Sequence, residues 1–512
     1  MARGRCHQAA GLALLVAACA LPAHGQDLLQ VWHKALQRDP AYAASGAARA
    51  ADQELIPQAR ALLLPYISAD ATGEAIDRRR TSTLRNRQSD SRAYWALTLT
   101  QPIFDAGAWS ALDRAKSLAH ASEVAQADAY QDLILRVAQA YFDILAAQDN
   151  LRALLAEKNA VETQLQAARQ SFELGSTTIT DTYEAQARLD LIKANELLAR
   201  NALQVSQDAL ARIISERPGT LAALAPDAQL PPPVPNRLDA WTQQSATANL
   251  DVLQADLAAR AVQAQMDIAK SGHYPTVSLQ AQTGSASDNG LYTNGNGPRS
   301  LDSSVGLQIS IPIFAGGGIS SAVREQASRL QQARYQLEDA KREAVQATQR
   351  YFSGVTSGLA RIHALQEAEA SSRSSLQANR TGYEVGVRIS IDVLNAQQQL
   401  YETQRNLAQA RYDTLMDSLR LKAASGSLTD ADLVAINALL ADDPAAASVQ
   451  TVSTDQHAGK STAPGSSGMP ADTTQPALSA DITPSARLQV PPSILKVGGR
   501  RAVVGRLPGL NP

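Results

Sequence analysis

The sequence predicts a mixed α and β membrane protein made of one unit used twice. Each unit supplies a pair of amphipathic strands followed by a long helical hairpin. The duplication is the first observation. Pro65 recurs as Pro275, Pro102-Ile103-Phe104 as Pro312-Ile313-Phe314 and Tyr141-Phe142 as Tyr351-Phe352, each at an offset of 210. Phe172-Glu173-Leu174-Gly175 returns as Tyr383-Glu384-Val385-Gly386, with Asp181 as Asp392, Gln186 as Gln397 and Leu189 as Leu400 at an offset of 211. Repetition at this spacing marks a duplicated architecture. The second observation is period-two alternation ahead of each hairpin, and the third is long stretches free of Gly and Pro.

Taken in order, residues 1–25 have the form of a secretory signal. Arg3 and Arg5 precede an apolar run from Gly11 to Ala20, and Ala23-His24-Gly25 is a small-x-small cleavage site before Gln26. The run is too short to span a bilayer. Both cysteines, Cys6 and Cys19, fall in this segment, so the mature chain has no disulfide and must hold by packing. Val16-Ala17-Ala18-Cys19 also has the shape of a lipoprotein processing site; lipidation of Cys19 is the alternative to ordinary cleavage near Gln26.

The first repeat covers 26–230. Ile67, Ala69 and Ala71 alternate with polar neighbours, as do Trp95, Leu97, Leu99 and Ile103, giving a β-hairpin over about 65–104. Its loop carries Arg78, Arg79, Arg80, Arg85 and Arg87, read as a hydrated cluster in preference to a lipopolysaccharide contact. The helical hairpin spans about 107–217. From Ala108 to Leu174 there is no Gly or Pro, and a helix of that length reaches ~100 Å. Leu133, Val137, Ala140, Ile144, Ala147, Leu151, Leu154, Val161, Leu165, Ala168 and Phe172 follow heptad steps, interrupted by Lys158. Such a seam makes neighbouring helices supercoil. Gly175 ends the helix and Ser176 to Arg217 returns.

Pro226 to Pro235 is a proline-rich linker. The second repeat, 231–442, has its strands over about 275–314, with Val277, Leu279, Ala281, Val305, Leu307, Ile309 and Ile311 alternating with polar residues. Its helical hairpin, about 319–425, includes Gly354 and Gly358, where the helix is expected to loosen. Residues 443–512 turn to Ala, Ser, Thr, Pro and Gly and read as a disordered tail.

Four strands with one apolar face cannot stand alone in lipid, because their edges leave amides and carbonyls unpaired. Trp95, Leu97, Leu99, Val305, Leu307 and Ile309 are the expected lipid-facing residues. Two chains would close eight strands around a core filled by side chains; three would close twelve around a lumen. No segment is a transmembrane helix. With a net charge of −2, nothing points to nucleic acid as a partner.

These residues resemble the TolC family. The likeness rests on Gln101-Pro102-Ile103-Phe104-Asp105, on Ile311-Pro312-Ile313-Phe314-Ala315-Gly316-Gly317, and on Gly382-Tyr383-Glu384-Val385-Gly386 followed by Ile391-Asp392-Val393-Leu394. It covers roughly Gln26 to Ala435. The resemblance implies a homotrimeric duct, with a β-barrel in the outer membrane and a helical barrel in the periplasm. It also implies a periplasmic adaptor and an inner-membrane ABC or proton-driven transporter as partners, and drugs or secreted polypeptides as cargo. Carried over by position, a periplasmic gate would join Thr180 and Asp181 to Tyr383 and Arg388 of a neighbouring chain or of the other hairpin. Asp392 would form a ring of three carboxylates able to bind cations. The sequence departs from the family at Asn395, where a second acidic ring is expected, so weaker cation selectivity and block follow.

No enzyme is expected. Gly316-Gly317-Gly318 lacks the Lys-Ser/Thr of a phosphate cradle. The seven histidines have no ligand spacing, no nucleophile stands beside a base, and no cofactor is implied. The competing reading is a periplasmic coiled-coil scaffold with soluble β-hairpins and no channel.

Overall fold

The computed structural model describes residues 25–79, 87–287 and 299–441. The expected signal segment, the tips of both strand loops with Arg80 and Arg85, and the expected disordered tail lie outside the described residues.

Three short helices open the chain: α1 (Leu28–Arg38), α2 (Pro40–Gln53) and α3 (Leu55–Ala61). Strands β1 (Tyr66–Arg79) and β2 (Arg87–Phe104) lead into α4 (Ala106–Glu173) and α5 (Ile179–Ile214). A two-residue strand β3 (Ala223–Leu224) and helices α6 (Leu238–Ala248) and α7 (Leu250–Ser271) follow. Strands β4 (Thr276–Ser287) and β5 (Arg299–Ser310) then lead into α8 (Gly318–Glu384) and α9 (Ser390–Ala424). Helix α10 (Asp430–Asn437) and β6 (Leu440–Ala441), which pairs with β3, complete the described chain.

The helices α1 to α3, α6, α7 and α10 were not anticipated, although the caps of α1, α2, α7 and α10 are visible. Asp27 accepts from the Gln30 amide at 2.7 Å and Asp39 from the Tyr42 amide at 2.8 Å. Asn249 stands one repeat offset after Asp39 and accepts from Asp251 and Val252. Where the second copy has the unbroken α7, the first splits into α2 and α3 just before Pro57. Pro57 has no amide hydrogen and its ring crowds the carbonyl four residues back.

Both β-hairpins form as expected and join into one antiparallel sheet, β1-β2-β4-β5. Leu99 lies opposite Ile67 on one side and Ala281 on the other, and Ala281 lies opposite Val305. Trp95, Leu97, Leu99, Leu279, Val305, Leu307 and Ile309 therefore share one face. Thr98, Thr100, Gln280, Gln282 and Gln308 share the other, where Thr100 faces Gln280 and Thr98 faces Gln282. Ile103 departs from the expected alternation. The register slips between Pro102 and Phe104, so Phe104, not Ile103, stands opposite Val277. Pro102 cannot donate to the ladder, and a bulge absorbs the defect.

Helix α4 runs 68 residues without a break. Its expected seam is buried from Leu133 to Ala168, except that Ala147 and Lys158 are half-buried. Phe172, the last expected member, is 43% exposed because the helix ends one residue later. At the polar interruption two adjacent side chains serve two different helices. Glu157 pairs with Arg405 of α9 at 3.3 Å, while Lys158 pairs with Glu196 of α5 at 2.9 Å. Since the Glu157 side chain is only 5% exposed, Arg405→Met would strand a buried carboxylate. A loss of about 3 kcal/mol is expected, read as a lower denaturant midpoint that Glu157→Gln added to Arg405→Met partly restores.

The main core lies at mid-length of α4, where Trp32, Leu133, Val137, Tyr141, Phe142, Leu210, Leu415 and Leu433 are buried together. Tyr141 donates to the Ala222 carbonyl at 2.7 Å, and Phe142 stacks on Tyr412 with ring centres 5.8 Å apart. Asp39 is clamped beside this core by both terminal nitrogens of Arg136. Burial pushes its carboxyl up, but the Arg136 and Tyr42 bonds outweigh that and hold it below the usual carboxylate range.

Helix α8 is not broken at Gly354 or Gly358. A Cβ at Gly354 would strike the Asp417 carboxylate, and one at Gly358 the Thr414 hydroxyl. These glycines bring α8 close to α9; they are packing positions.

Candidate periplasmic gate

The two helical hairpins turn by the same chemistry. Gly175 (φ 73°) and Gly386 (φ 79°) adopt the left-handed conformation that lets a helix stop and reverse. Ser176 donates to Ser171 O and Gly175 to Phe172 O; Val387 donates to Gly382 O and Gly386 to Tyr383 O. Such paired bonds satisfy carbonyls that the helix end leaves open.

Around these turns the expected gate residues fall into two sets. Tyr383 stands near the end of α8, where burial, and then the nearby charge of Asp181, push its phenol up. Asp181 of the first hairpin therefore lies near enough for its charge to act on Tyr383 of the second. Thr180 is exposed beside Asp181. Arg388 meets a residue of its own hairpin. Within one chain it pairs with Asp392 one turn along α9, at 3.6 Å, and among the described residues no hydrogen bond or ion pair joins it to Thr180 or Asp181. The local backbone explains this. The Arg388 amide donates to Gly382 O at 3.1 Å, which lays its stem across the end of α8 and aims the guanidinium along the first turn of α9. Asp392 also suits that first turn, where the helix dipole favours an anion. Asn395 lies exposed three residues on, on the same helical face as Asp392.

Three residues have roles here that the sequence did not suggest, although Gly382 and Leu394 stand in the motifs already quoted. Gly382 makes room for Arg388: a Cβ there would sit 2.7 Å from Arg388 Cγ. Ser390 is fully buried and its hydroxyl accepts from Gln164 at 3.2 Å, tying the start of α9 to α4. Leu394 inserts into the first hairpin among Val161, Leu165, Ala185, Leu189 and Ile192. Its repeat counterpart Tyr183 is 65% exposed, and that divergence between copies was the available signal. Gly382→Ala should separate stability from gating. The helix gains up to about 1 kcal/mol while Arg388 is displaced, so thermal stability should hold or rise as single-channel conductance increases.

The residues expected to face lipid lie on one face of the sheet, with Val305 76%, Leu307 61% and Trp95 47% exposed in the single chain. Among the described residues no group of His, Cys, Asp or Glu could hold a metal ion. Among them, too, no helix is long and apolar enough to cross a membrane.

The sequence profile described as outer membrane efflux protein matches residues 31–216 and 241–427, once in each repeat. The outer membrane protein TolC of Vibrio cholerae is 32% identical over 416 residues, covering 81% of this chain and 93% of the relative. The TolC of Escherichia coli is 35% identical over 420 residues, covering 80% and 84%. The alkaline protease secretion protein AprF of Pseudomonas aeruginosa is 31% identical over 428 residues, covering 82% and 88%. Among solved structures, the outer membrane protein VceC of Vibrio cholerae superposes with a TM-score of 0.68 at 21% identity, covering 78% of this chain and 96% of that one. The CmeC outer membrane channel of Campylobacter jejuni gives a TM-score of 0.69 at 16% identity, covering 80% and 89%.

Proposed function

The chain belongs to the outer membrane efflux protein family, and from that premise we infer that three copies close one continuous duct through the outer membrane and the periplasm. It is an outer-membrane exit duct for efflux or type I secretion. The observation that carries the trimer is the sheet with two unpaired margins. β1 and β5 are edge strands of 14 and 12 residues, and neither can stay unpaired in lipid. Pairing β5 of one copy with β1 of the next gives twelve strands in a trimer, apolar outside and lined inside by Gln and Thr.

The helices support the same closure. α5 and α8 form the two margins of the helical layer, with α4 and α9 between them. α5 exposes Leu191, Leu198 and Val205 at heptad spacing. α8 exposes a stripe of small residues at the same spacing, including Ser353, Ser357, Ala360, Ala364, Ser371 and Ala378. Bulky knobs facing small holes suit a head-to-tail contact that closes into a ring.

In this reading the hairpin tips gate the periplasmic end. Arg388, shared between its own Asp392 and the neighbour's Thr180 and Asp181, holds the tips inward together with Tyr383. Three copies of Asp392 ring the axis. Asn395 leaves that ring single, so cation selectivity and block are weak. A periplasmic adaptor and an inner-membrane transporter, ABC-type or proton-driven, deliver the cargo to the closed end. Membrane fractionation tests this against a soluble scaffold. The duct requires detergent for extraction and then conducts ions across planar bilayers; release by alkali or salt alone overturns it.

A further inference from the structure

At mid-length the helical layer has two faces. On α4, Leu133, Val137 and Tyr141 turn toward the core that α1 and α10 cover. Gln139 and Asp143 stand roughly 160° round the same helix from Tyr141. Three sets of covering elements inside a tube would plug it, so in the duct they belong outside and Asp143 lies on the inner wall.

On that face α4, α8 and α9 enclose a cavity of about 560 Å³, within the range of small-molecule sites. Phe142 and Met416, both almost fully buried, lie at its floor. Asp143, Asp413 and Asp417 line it together with Arg361 and Arg420. The charges do not balance. Arg420 reaches Asp417 at 3.5 Å and donates to Gln139 at 2.7 Å, while Arg361 is exposed on α8. Asp143 and Asp413 each accept from a neutral amide, Gln139 and Gln409, at 2.7 Å. Burial above all pushes the Asp143 and Asp417 carboxyls up; the charge of Asp413 adds to the rise in both, and Arg420 offsets part of it.

The duplicated architecture does not require this arrangement. At the offset of 211, Asp413 and Asp417 stand where the first hairpin has Ala202 and Ser206. At the offset of 210, Gly354 and Gly358 stand where it has Ile144 and Gln148. Each glycine costs a helix about 1 kcal/mol, and the space left at Gly354 is taken by the Asp417 carboxylate. The second hairpin thus gives up helix propensity and accepts repulsion to seat carboxylates in a cavity. Groups held in this way point to a ligand of opposite charge. Among the described residues no group of His, Cys, Asp or Glu could hold a metal ion, so these carboxylates do not close round a single ion. They suit separated positive charges joined by an apolar spacer that can lie over Phe142 and Met416.

We propose that this cavity is a binding site for linear polyamines on the inner wall of the duct, with amines at Asp143 and Asp413 and methylene spacers over the apolar floor. Its place on the inner wall rests on the duct reading; the binding chemistry rests on the cavity itself.

Spermidine is the probe. With the detergent-extracted full chain, calorimetry should show saturable binding of one spermidine to each chain. Asp143→Asn with Asp413→Asn should weaken it by roughly tenfold or more. Both substitutions keep an acceptor for the Gln139 and Gln409 amides and relieve repulsion, so the trimer band on a gel should be retained. Asp392→Asn supplies the background for current measurements, because it removes the carboxylates at the hairpin tips. In planar bilayers spermidine should reduce the current through the Asp392→Asn protein and leave that of the triple variant unchanged. No saturable binding, or equal binding by the unsubstituted protein and the double variant, overturns the site. Binding without loss of current in the Asp392→Asn protein overturns its place on the inner wall. No current even before spermidine is added overturns the duct reading instead, and calorimetry then still decides the site.

Discussion

Arg388→Ser combined with Tyr383→Phe is expected to raise single-channel conductance in planar bilayers and to lengthen the open periods. The Arg388 side chain is 59% accessible, so its contact with the neighbour's Asp181 is worth only about 0.5–1 kcal/mol per copy. Three copies that open together add their contributions. Losing all three shifts the closed–open balance roughly ten- to a hundredfold. The same variant leaves Asp392 without its cation, and three uncovered carboxylates should increase cation selectivity. Reversal potentials in a salt gradient measure that shift. Unchanged conductance in correctly assembled trimers rejects these residues as the gate.

Val305→Arg is expected to prevent stable assembly, whereas Ser304→Arg should be tolerated. Val305 lies midway along β5, opposite Ala281 on the apolar face. A lipid-facing arginine near mid-bilayer costs about 2–4 kcal/mol, and each trimer carries it three times. Ser304 is its neighbour in sequence but points to the polar face, opposite Gln282. The side-chain period of two makes adjacent substitutions differ in kind. Heat-dependent mobility on a gel separates the outcomes: loss of the slow trimer band for Val305→Arg and retention for Ser304→Arg. Equal behaviour would mean that the two faces do not meet different solvents.

Much of this was legible because it repeats. Period-two alternation around Leu97 and Leu307 and the breaker-free run after Ala108 each persist over many residues, so local exceptions do not erase them. Gly175 and Gly386 announced the turns through the one backbone conformation glycine favours. Signals carried by single residues were missed or misread. Pro57 divides α2 from α3, and Pro102 shifts the register so that Phe104 replaces Ile103. Gly354 and Gly358 suggest a weak helix until Asp417 and Thr414 are seen filling the space they leave. Helix α2 escaped notice because an alanine-rich stretch offers little contrast between its faces, and none of its residues is buried; α1, whose Leu28, Val31, Trp32 and Ala35 form one buried face, was missed despite its pattern.

The gate shows the same division. Thr180, Asp181, Tyr383, Arg388 and Asp392 were carried over by position from the resemblance to the TolC family. The choice of Asp392 as the Arg388 partner depends on a backbone bond to Gly382 that no spacing rule specifies. Neighbouring copies are a further layer. The unpaired strands β1 and β5, and the exposed stripes of α5 and α8, say that partners are needed.

The count of those partners is measured most directly by native mass spectrometry of the detergent-extracted protein. Three chains per particle is the result expected if edge strands from separate copies complete the barrel. A particle of one chain, stable in buffer without detergent, would contradict the duct and the gate built upon it.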